Sequence, residues 1–398
     1  MKQSNGRLSA ALLSVSVFQM SMVALAPILS ALETAFPTAP VLAVQMASTF
    51  LCLIMVLFAL AANRIAEAIG RRSMILIAML SILAAAIGGA LLHGSLFMVY
   101  LWSSLIGAGV GLFVPAVLSI IMDVYEGDSR TKITSLQSVV VGVGGVALSL
   151  LTGALGERQW NAAFLAFLPA LAALVLAARC IPAESKLRQA LPEEKRSADA
   201  NTRGGWRDIP GFVWLAALQT FLFAILYFAF STNISLYMAE RGWNSTSLMG
   251  VVTSVFMLGT CASSLLLKTV LRCVGHYIPA ASFLMLTVSY ALLFATGSLA
   301  LMIAASFLAG STLGFIFPYL VVNIGEKIDA SVSVLASSLV ISVAPNSGSF
   351  VSPLLLTPIT KALGGNTVGA RFVAAAIAAA VIAAVLFAVQ KHRERTIG

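Results

Sequence analysis

NRIAEAIGRR, Asn63 to Arg72, sets three arginines and a glutamate between two long apolar stretches. The chain around it is 398 residues long, 60% hydrophobic and only 10% charged. A soluble domain carries charge on about a quarter of its residues, so most of this chain is made for an apolar solvent. A helix crosses a bilayer with about 20 mostly apolar residues, and the runs flanking the decapeptide are that long. They lack the two-residue alternation of barrel strands, and within hydrocarbon only helices or closed barrels satisfy the backbone. The decapeptide is therefore a charged turn between two membrane-spanning helices.

Twelve such runs follow one another, at about 8–32, 41–62, 74–92, 96–122, 133–155, 162–181, 212–238, 249–271, 278–298, 300–324, 332–357 and 372–390. Only Thr296-Gly297-Ser298 divides the ninth from the tenth. Lys2 and Arg7 ahead of the first run, with Ala24-Leu25-Ala26 inside it, imitate a secretory signal. The apolar part is too long for one, so it is read as a retained first span.

The net charge is +9, and its distribution matters more than its size. With the N-terminus in the cytoplasm, 20 of the 24 Lys and Arg fall on that side, leaving Arg158, Arg241, Lys361 and Arg371 opposite. Cytoplasmic loops of membrane proteins carry such an excess. Both termini are thus expected inside, and the basic balance reports topology, not nucleic-acid binding. Cys52, Cys180, Cys261 and Cys273 lie in spans or at the cytoplasmic side, and His93, His276 and His392 are scattered. No disulfide, metal site or cofactor is expected from that pattern. The expected partners are the lipid bilayer and a small molecule.

The longest polar stretch, Pro182 to Gly211, divides the spans six and six and reads as a cytoplasmic linker. It separates residues 1–181 from 212–398, each expected to form a six-helix bundle. The halves echo each other. GLFVP (Gly111–Pro115) returns as GFIFP (Gly314–Pro318) at an offset of 203, the offset that also relates Asp123 to Glu326. Arg64 matches Lys268 at 204, and Gly70 matches Gly275 at 205. Parallel six-span repeats about an axis along the membrane normal are a known transporter design.

This layout, with its charged turn between the second and third spans, resembles the major facilitator superfamily. That family's signature in the turn is Gly, three variable residues, Asp-Arg, one residue, then Gly-Arg and Arg or Lys. Aligned on Gly70-Arg71-Arg72, this chain carries Asn63 for the first glycine, Glu67 for the aspartate and Ala68 for the arginine. GAGVGLFVPA (Gly107–Ala116) resembles the family's glycine-rich fourth span, and Trp160 and Phe164 resemble aromatics that open the sixth. The chain also departs from the family. Ser103 stands where many proton-linked members carry an arginine. The fifth-span antiporter signature is reduced to Leu148-Ser149 and Thr152-Gly153, although Gly142, Gly144 and Gly145 still permit close helix approach. Proton-driven antiport is thereby put in doubt, with Glu33 and Asp123 as the remaining candidate proton carriers.

The resemblance implies two bundles rocking about a central cavity, held together on the cytoplasmic side by this turn. Gly70 tolerates positive φ, Arg71 and Arg72 anchor the cytoplasmic face, and Glu67 can pair with an arginine or a helix N-terminus. The expected latch adds Arg64 and Asp123 from the first half and Lys268, Arg272 and Glu326 from the second. Exposed ion pairs contribute about 0–1 kcal/mol each, and a few kcal/mol bias two states. Plain topological anchoring is the alternative.

Charge inside a membrane marks ion pathways, and the search for it returns little. All 15 acids fall in loops or at span ends, Glu33, Asp123, Glu240 and Glu326 lying nearest the membrane, and no Lys or Arg sits mid-span. A neutral, zwitterionic or amphipathic cargo is expected. The polar residues left at membrane depth are Gln19, Gln219, Tyr227 and Asn346, with Asn233 nearer the outer end and Gln137 nearer the inner end. An unpaired amide in an apolar medium costs about 2–7 kcal/mol, so each needs a neighbouring helix, water or ligand. In the family the first, fourth, seventh and tenth spans line the cavity, which favours Gln19, Gln219, Tyr227 and Asn233. Asn346 sits in PNSGSFVSP (Pro345–Pro353), whose prolines weaken a helix; such a break lines a cavity or is a packing kink. Phe113, Phe315 and Phe317, beside Pro115 and Pro318, either contact an apolar cargo or face core and lipid.

The sequence thus predicts an all-α integral membrane protein, twelve helices in two pseudo-symmetric bundles, a monomer in the cell (inner or plasma) membrane. The resemblance implies a secondary transporter, with drug-type efflux first and uptake by symport or facilitated diffusion second. A membrane enzyme would need clustered His and Asp, and a non-transporting sensor an appended soluble domain.

Overall fold

The computed structural model describes residues 2–185, 209–295, 298–325, 336, 338–365 and 367–397. Among these residues twelve helices are long and apolar enough to cross a membrane. The first half holds Gly6–Ala35, Val41–Ile69, Arg71–Leu91, Leu96–Val124, Gly127–Gly156 and Trp160–Cys180. The second holds Gly211–Glu240, Thr246–Val274, Ile278–Ala295, Leu299–Gly325, Leu339–Ala362 and Val368–Ile397. At about 1.5 Å per residue, the 29 residues of Val41–Ile69 exceed the hydrocarbon thickness. The face bearing loops 36–40, 92–95, 157–159, 241–245 and 363–365 is termed outer, following the charge count.

Two spans are irregular, each for a local reason. The first passes through 3-10 turns at Val17–Met20 and Ala26–Ile28, the second of them containing Pro27. A break in a membrane helix leaves carbonyls that must find donors. Thr152 of the fifth span donates to the Ala24 oxygen at 2.6 Å, and Ser235 of the seventh to the Pro27 oxygen at 3.1 Å. The eleventh span opens with a π-helical segment, Leu339–Val343, and continues through Pro345, Pro353 and Pro358 to Ala362, beyond the expected end of its run. Asn346 Nδ2 donates to the Ser342 oxygen at 2.7 Å, serving a carbonyl in the widened turn.

The internal echo is structural. A Cβ on Gly111 would lie 2.6 Å from the Met55 carbonyl oxygen, and one on Gly314 would strike that of Thr260. The fourth span thus lies on the second as the tenth lies on the eighth, each through a glycine that lets backbones touch. Gly70 and Gly275, closing the second and eighth spans, both adopt positive φ (81° and 55°). A side chain is strained in that conformation, which explains the matching glycines.

Candidate functional site at the seam between the halves

The two halves meet along a seam that runs inward from the outer loops. Between the fifth and eighth spans it is built from small residues. A Cβ on Gly153 would lie 2.7 Å from the Thr246 oxygen and 2.8 Å from the Gly250 Cα, so the backbones touch there. Thr246 donates to the Gly153 oxygen at 3.0 Å, and Ser254, deeper in, to the Val146 oxygen at 3.1 Å. At the outer rim Glu157 caps the eighth span from the other half. Its carboxylate accepts the Ser247 N–H at 2.7 Å and the Ser245 hydroxyl at 3.0 Å, and it shares the single Thr246 hydroxyl proton, also at 3.0 Å, with the Gly153 oxygen. These bonds, the Ser247 N–H foremost, hold the Glu157 carboxyl below the usual range.

A second contact joins the first and seventh spans. The Ser235 hydroxyl, whose proton is shared with the Pro27 oxygen, lies 2.9 Å from Ser30 Oγ, and the Ser30 N–H donates to Ser235 Oγ at 3.1 Å. Both hydroxyls also face the Met249 sulfur. The second and eleventh spans meet through Phe50 and Phe350, edge to face at 6.3 Å, and through Gln45, whose Oε1 accepts the Thr357 hydroxyl at 2.7 Å.

Gln45 belongs to a larger buried cluster. Its Nε2 donates to Asn233 Oδ1 at 2.7 Å across the seam, and the same oxygen accepts from Arg371 at 3.0 Å. Asn233 Nδ2 is occupied by the Ala229 oxygen at 2.9 Å. Gln45 is fully buried, and Arg371 is 7% exposed. The expectation that Arg371 belongs to an outer loop is therefore corrected. It stands in the first turn of the twelfth span, because both Glu240 carboxylate oxygens accept the Val368 N–H, at 2.9 and 3.1 Å, and cap that helix. The seam is not free of buried charge at its outer end.

At the face opposite the one termed outer, Arg71 is the centre. Its guanidinium reaches Asp123 and, at 3.0 Å, Ser119, while its N–H and Nε donate to the Glu184 carboxylate at 2.9 and 3.2 Å. Arg72 donates to the Ala178 oxygen at 2.6 Å. Asp123 thus pairs inside its own half, with the start of the linker as the other partner. Arg64, Glu67 and Arg272 are exposed. The side chain of Lys268 and all of Glu326 lie outside the described residues.

The candidate chamber residues are dispersed. Gln19 is half-buried in the first break, and Gln137 donates to Ser16 at 3.2 Å. Asn346 is buried on its own helix. Tyr227 is enclosed within the second half, among Phe223, Phe228 and Phe256, its hydroxyl 3.4 Å from Thr260. Gln219 shares its helix face with Phe223 and Phe230, which pack on Phe283 and Phe256 of the same half, and its amide nitrogen is buried with no partner among the described residues. Phe113 is fully buried, Phe315 nearly so and Phe317 half-buried. Glu33 is half-buried at the outer end of the first span. For Tyr227 membership of a cavity-lining span did not decide the direction of the side chain.

Sequence reasoning missed Gln45, Thr357, Arg371, Glu157 and Glu184. An amide four residues into an otherwise apolar run was a usable signal for Gln45; Thr357 closes an apolar run without standing out, and the others look like ordinary loop residues.

The sequence model of the Major Facilitator Superfamily matches residues 9–353. A comparison with curated proteins finds no match by sequence. Among solved structures, a POT family transporter in complex with a thioalcohol-conjugated peptide is similar over 96% of both chains, with a TM-score of 0.76 at 13% identity. The nucleoside transporter NupG gives 0.73 at 11% identity, over 96% of this chain and 99% of that one. The inward-open xylose transporter XylE from E. coli gives 0.72 at 16%, over 95% and 94%.

Proposed function

Because the chain belongs to the major facilitator superfamily, whose members are transporters, we propose that it carries a small neutral, zwitterionic or amphipathic organic solute by alternating access. The observation that supports this most is the seam itself. Two pseudo-symmetric bundles are joined at the outer face by hydroxyl, amide and helix-cap contacts. Such bonds contribute about 0.5–1.5 kcal/mol each, enough together to hold a closed state and few enough to release it. The cargo reading rests on the uncharged polar residues at depth, Gln19 and Asn346 in irregular helices and Gln137 against Ser16 of the first span.

The cytoplasmic latch belongs, on this reading, to the opposite conformation. Closing the inner mouth would bring Arg64, Glu67, Arg71, Arg72 and Asp123 toward Lys268, Arg272 and Glu326. The charge count supports both termini inside, the cell membrane is the proposed location, and drug-type export is the first reading of direction. Uptake is the second, favoured by the loss of the glycine-proline pair at Leu148-Ser149. The test is a thermal-stability screen of the purified protein against neutral, zwitterionic and amphipathic compounds, then flux of any hit in proteoliposomes of known orientation. Selective stabilisation by multiply charged anions would refute the cargo reading. Flux only toward the cytoplasmic side would refute export.

A further inference from the structure

Gln45 reaches from the first half into a socket whose polar groups all belong to the second. Both ends of its amide are engaged there. Nε2 donates to Asn233 Oδ1 at 2.7 Å and, more loosely, to the Thr232 oxygen at 3.3 Å, while Oε1 accepts the Thr357 hydroxyl at 2.7 Å. Gln45, Thr232 and Asn233 are each at most 1% exposed, so the whole amide has left water for these partners.

The socket is fixed without Gln45. A guanidinium has no acceptor, so the bond from Arg371 at 3.0 Å requires the oxygen, not the nitrogen, of the Asn233 amide on that side. The Asn233 nitrogen is held on the other side by the Ala229 oxygen at 2.9 Å and by Thr232 Oγ1 at 3.1 Å. These groups lie on the seventh and twelfth spans, and Thr357 lies on the eleventh. Rocking the halves apart therefore keeps their bonds and withdraws Gln45 alone. The second half is left with two acceptors, Asn233 Oδ1 and the Thr232 oxygen, and one donor, the Thr357 hydroxyl, spaced for a single amide. Groups already ordered by their own half bind without the cost of being ordered. A carboxamide matches that pattern in full. A ketone or ester answers Thr357 alone. A carboxylate has no N–H and would set its charge against the Asn233 and Thr232 oxygens.

We propose that the open outer mouth binds the carboxamide of a solute in this socket, and that Gln45 is the tethered group that takes the solute's place when the mouth seals. The inference rests on the alternating-access reading and gives its neutral cargo a chemical class, the primary amides. Gln45 and the solute use the same atoms, so the socket serves solute entering or leaving at the outer mouth, and a bound solute opposes closure. Arg371 is a positioning residue: it sets the Asn233 oxygen toward the socket and leaves the amide itself to Asn233, Thr232 and Thr357.

The probe is acetamide, the group that Gln45→Ala removes, with acetate and acetone as controls that lack its N–H. Spin labels on Thr38→Cys and Leu363→Cys in a cysteine-free background, in proteoliposomes, report the open and sealed outer distances. With Gln45 in place, acetamide should raise the open-to-sealed ratio, by about twofold at a concentration equal to its Kd for the open state, and the controls should not. In Gln45→Ala the competition is gone and that rise should be lost, while acetamide, more than acetate or acetone, should raise the melting temperature by filling the vacated socket. Thr357→Val should shrink the rise seen with Gln45 in place, which serves if the alanine variant does not fold. Two populations that ignore acetamide, an equal response to either control, or an undiminished rise in Gln45→Ala and Thr357→Val overturn the amide socket alone. A single distance in every variant and condition overturns the carrier reading with it.

Discussion

Gly153→Ala offers the sharpest test of whether the seam is a moving part. The added methyl would sit 2.7 Å from the Thr246 carbonyl oxygen and 2.8 Å from the Gly250 Cα. Both are main-chain atoms of the other half, so no rotamer change relieves the clash and the fifth and eighth spans must separate. Overpacking of this kind costs about 1–3 kcal/mol, and here it falls only on the sealed state. An energy of that size corresponds to about a 5–150-fold change in an equilibrium, directed toward outer opening. Gly107→Ala is the control. Its methyl strikes the Leu51 backbone inside the first half, a contact that rigid-body rocking preserves. That variant should lower thermal stability and leave the populations alone. Labelling of a cysteine introduced at the outer face, Thr38→Cys in a cysteine-free background, by a membrane-impermeant reagent, read beside melting curves, separates the two effects. Equal labelling of wild type and Gly153→Ala would refute the rocking mechanism. So would equal labelling of the two alanine variants.

The other expectations concern polar contacts. Asn233→Leu removes the oxygen shared by Gln45 and Arg371 and leaves both donors short of a partner, which costs about 1–3 kcal/mol per buried group; outer accessibility should rise, and an unchanged labelling rate would refute the cluster's sealing role. Asp123→Asn and Glu184→Gln each weaken the grip on Arg71, and loss of a bond to a charged group costs about 1.5–3 kcal/mol, so both should lower the melting temperature, with their effects non-additive in the double variant. The Glu157 carboxyl is held low by the Ser247 N–H, so its cap is fully present above the ordinary carboxylate value of about 4.3 and is lost as pH falls through the lowered one. Glu157→Gln should therefore weaken the cap to the same extent at about pH 5 and about pH 8, raising labelling of an introduced outer cysteine by one factor at both; factors that differ would refute the assignment.

The sequence by itself determined the number of spans and the two-fold layout of the bundles. Each is written locally. A span needs only apolar length, and a repeat needs only the same glycines where backbones cross, as Gly111 and Gly314 show. The matching turns at Gly70 and Gly275 were equally legible, since positive φ is a property of one residue. Tertiary structure decided which polar groups meet. Gln45 finds Asn233 across 188 positions and Thr357 across 312, distances over which no pattern in the chain carries information. It also decided that Tyr227 turns into its own bundle and that Arg71 takes Glu184 as a partner. Arg371 is the clearest case. Beside an apolar run it looks like an anchoring charge at the membrane edge, and only the Glu240 cap, which fixes where the twelfth helix begins, carries it under the seam. A helix boundary is worth a residue or two in sequence, but for a guanidinium that is the difference between water and a buried amide.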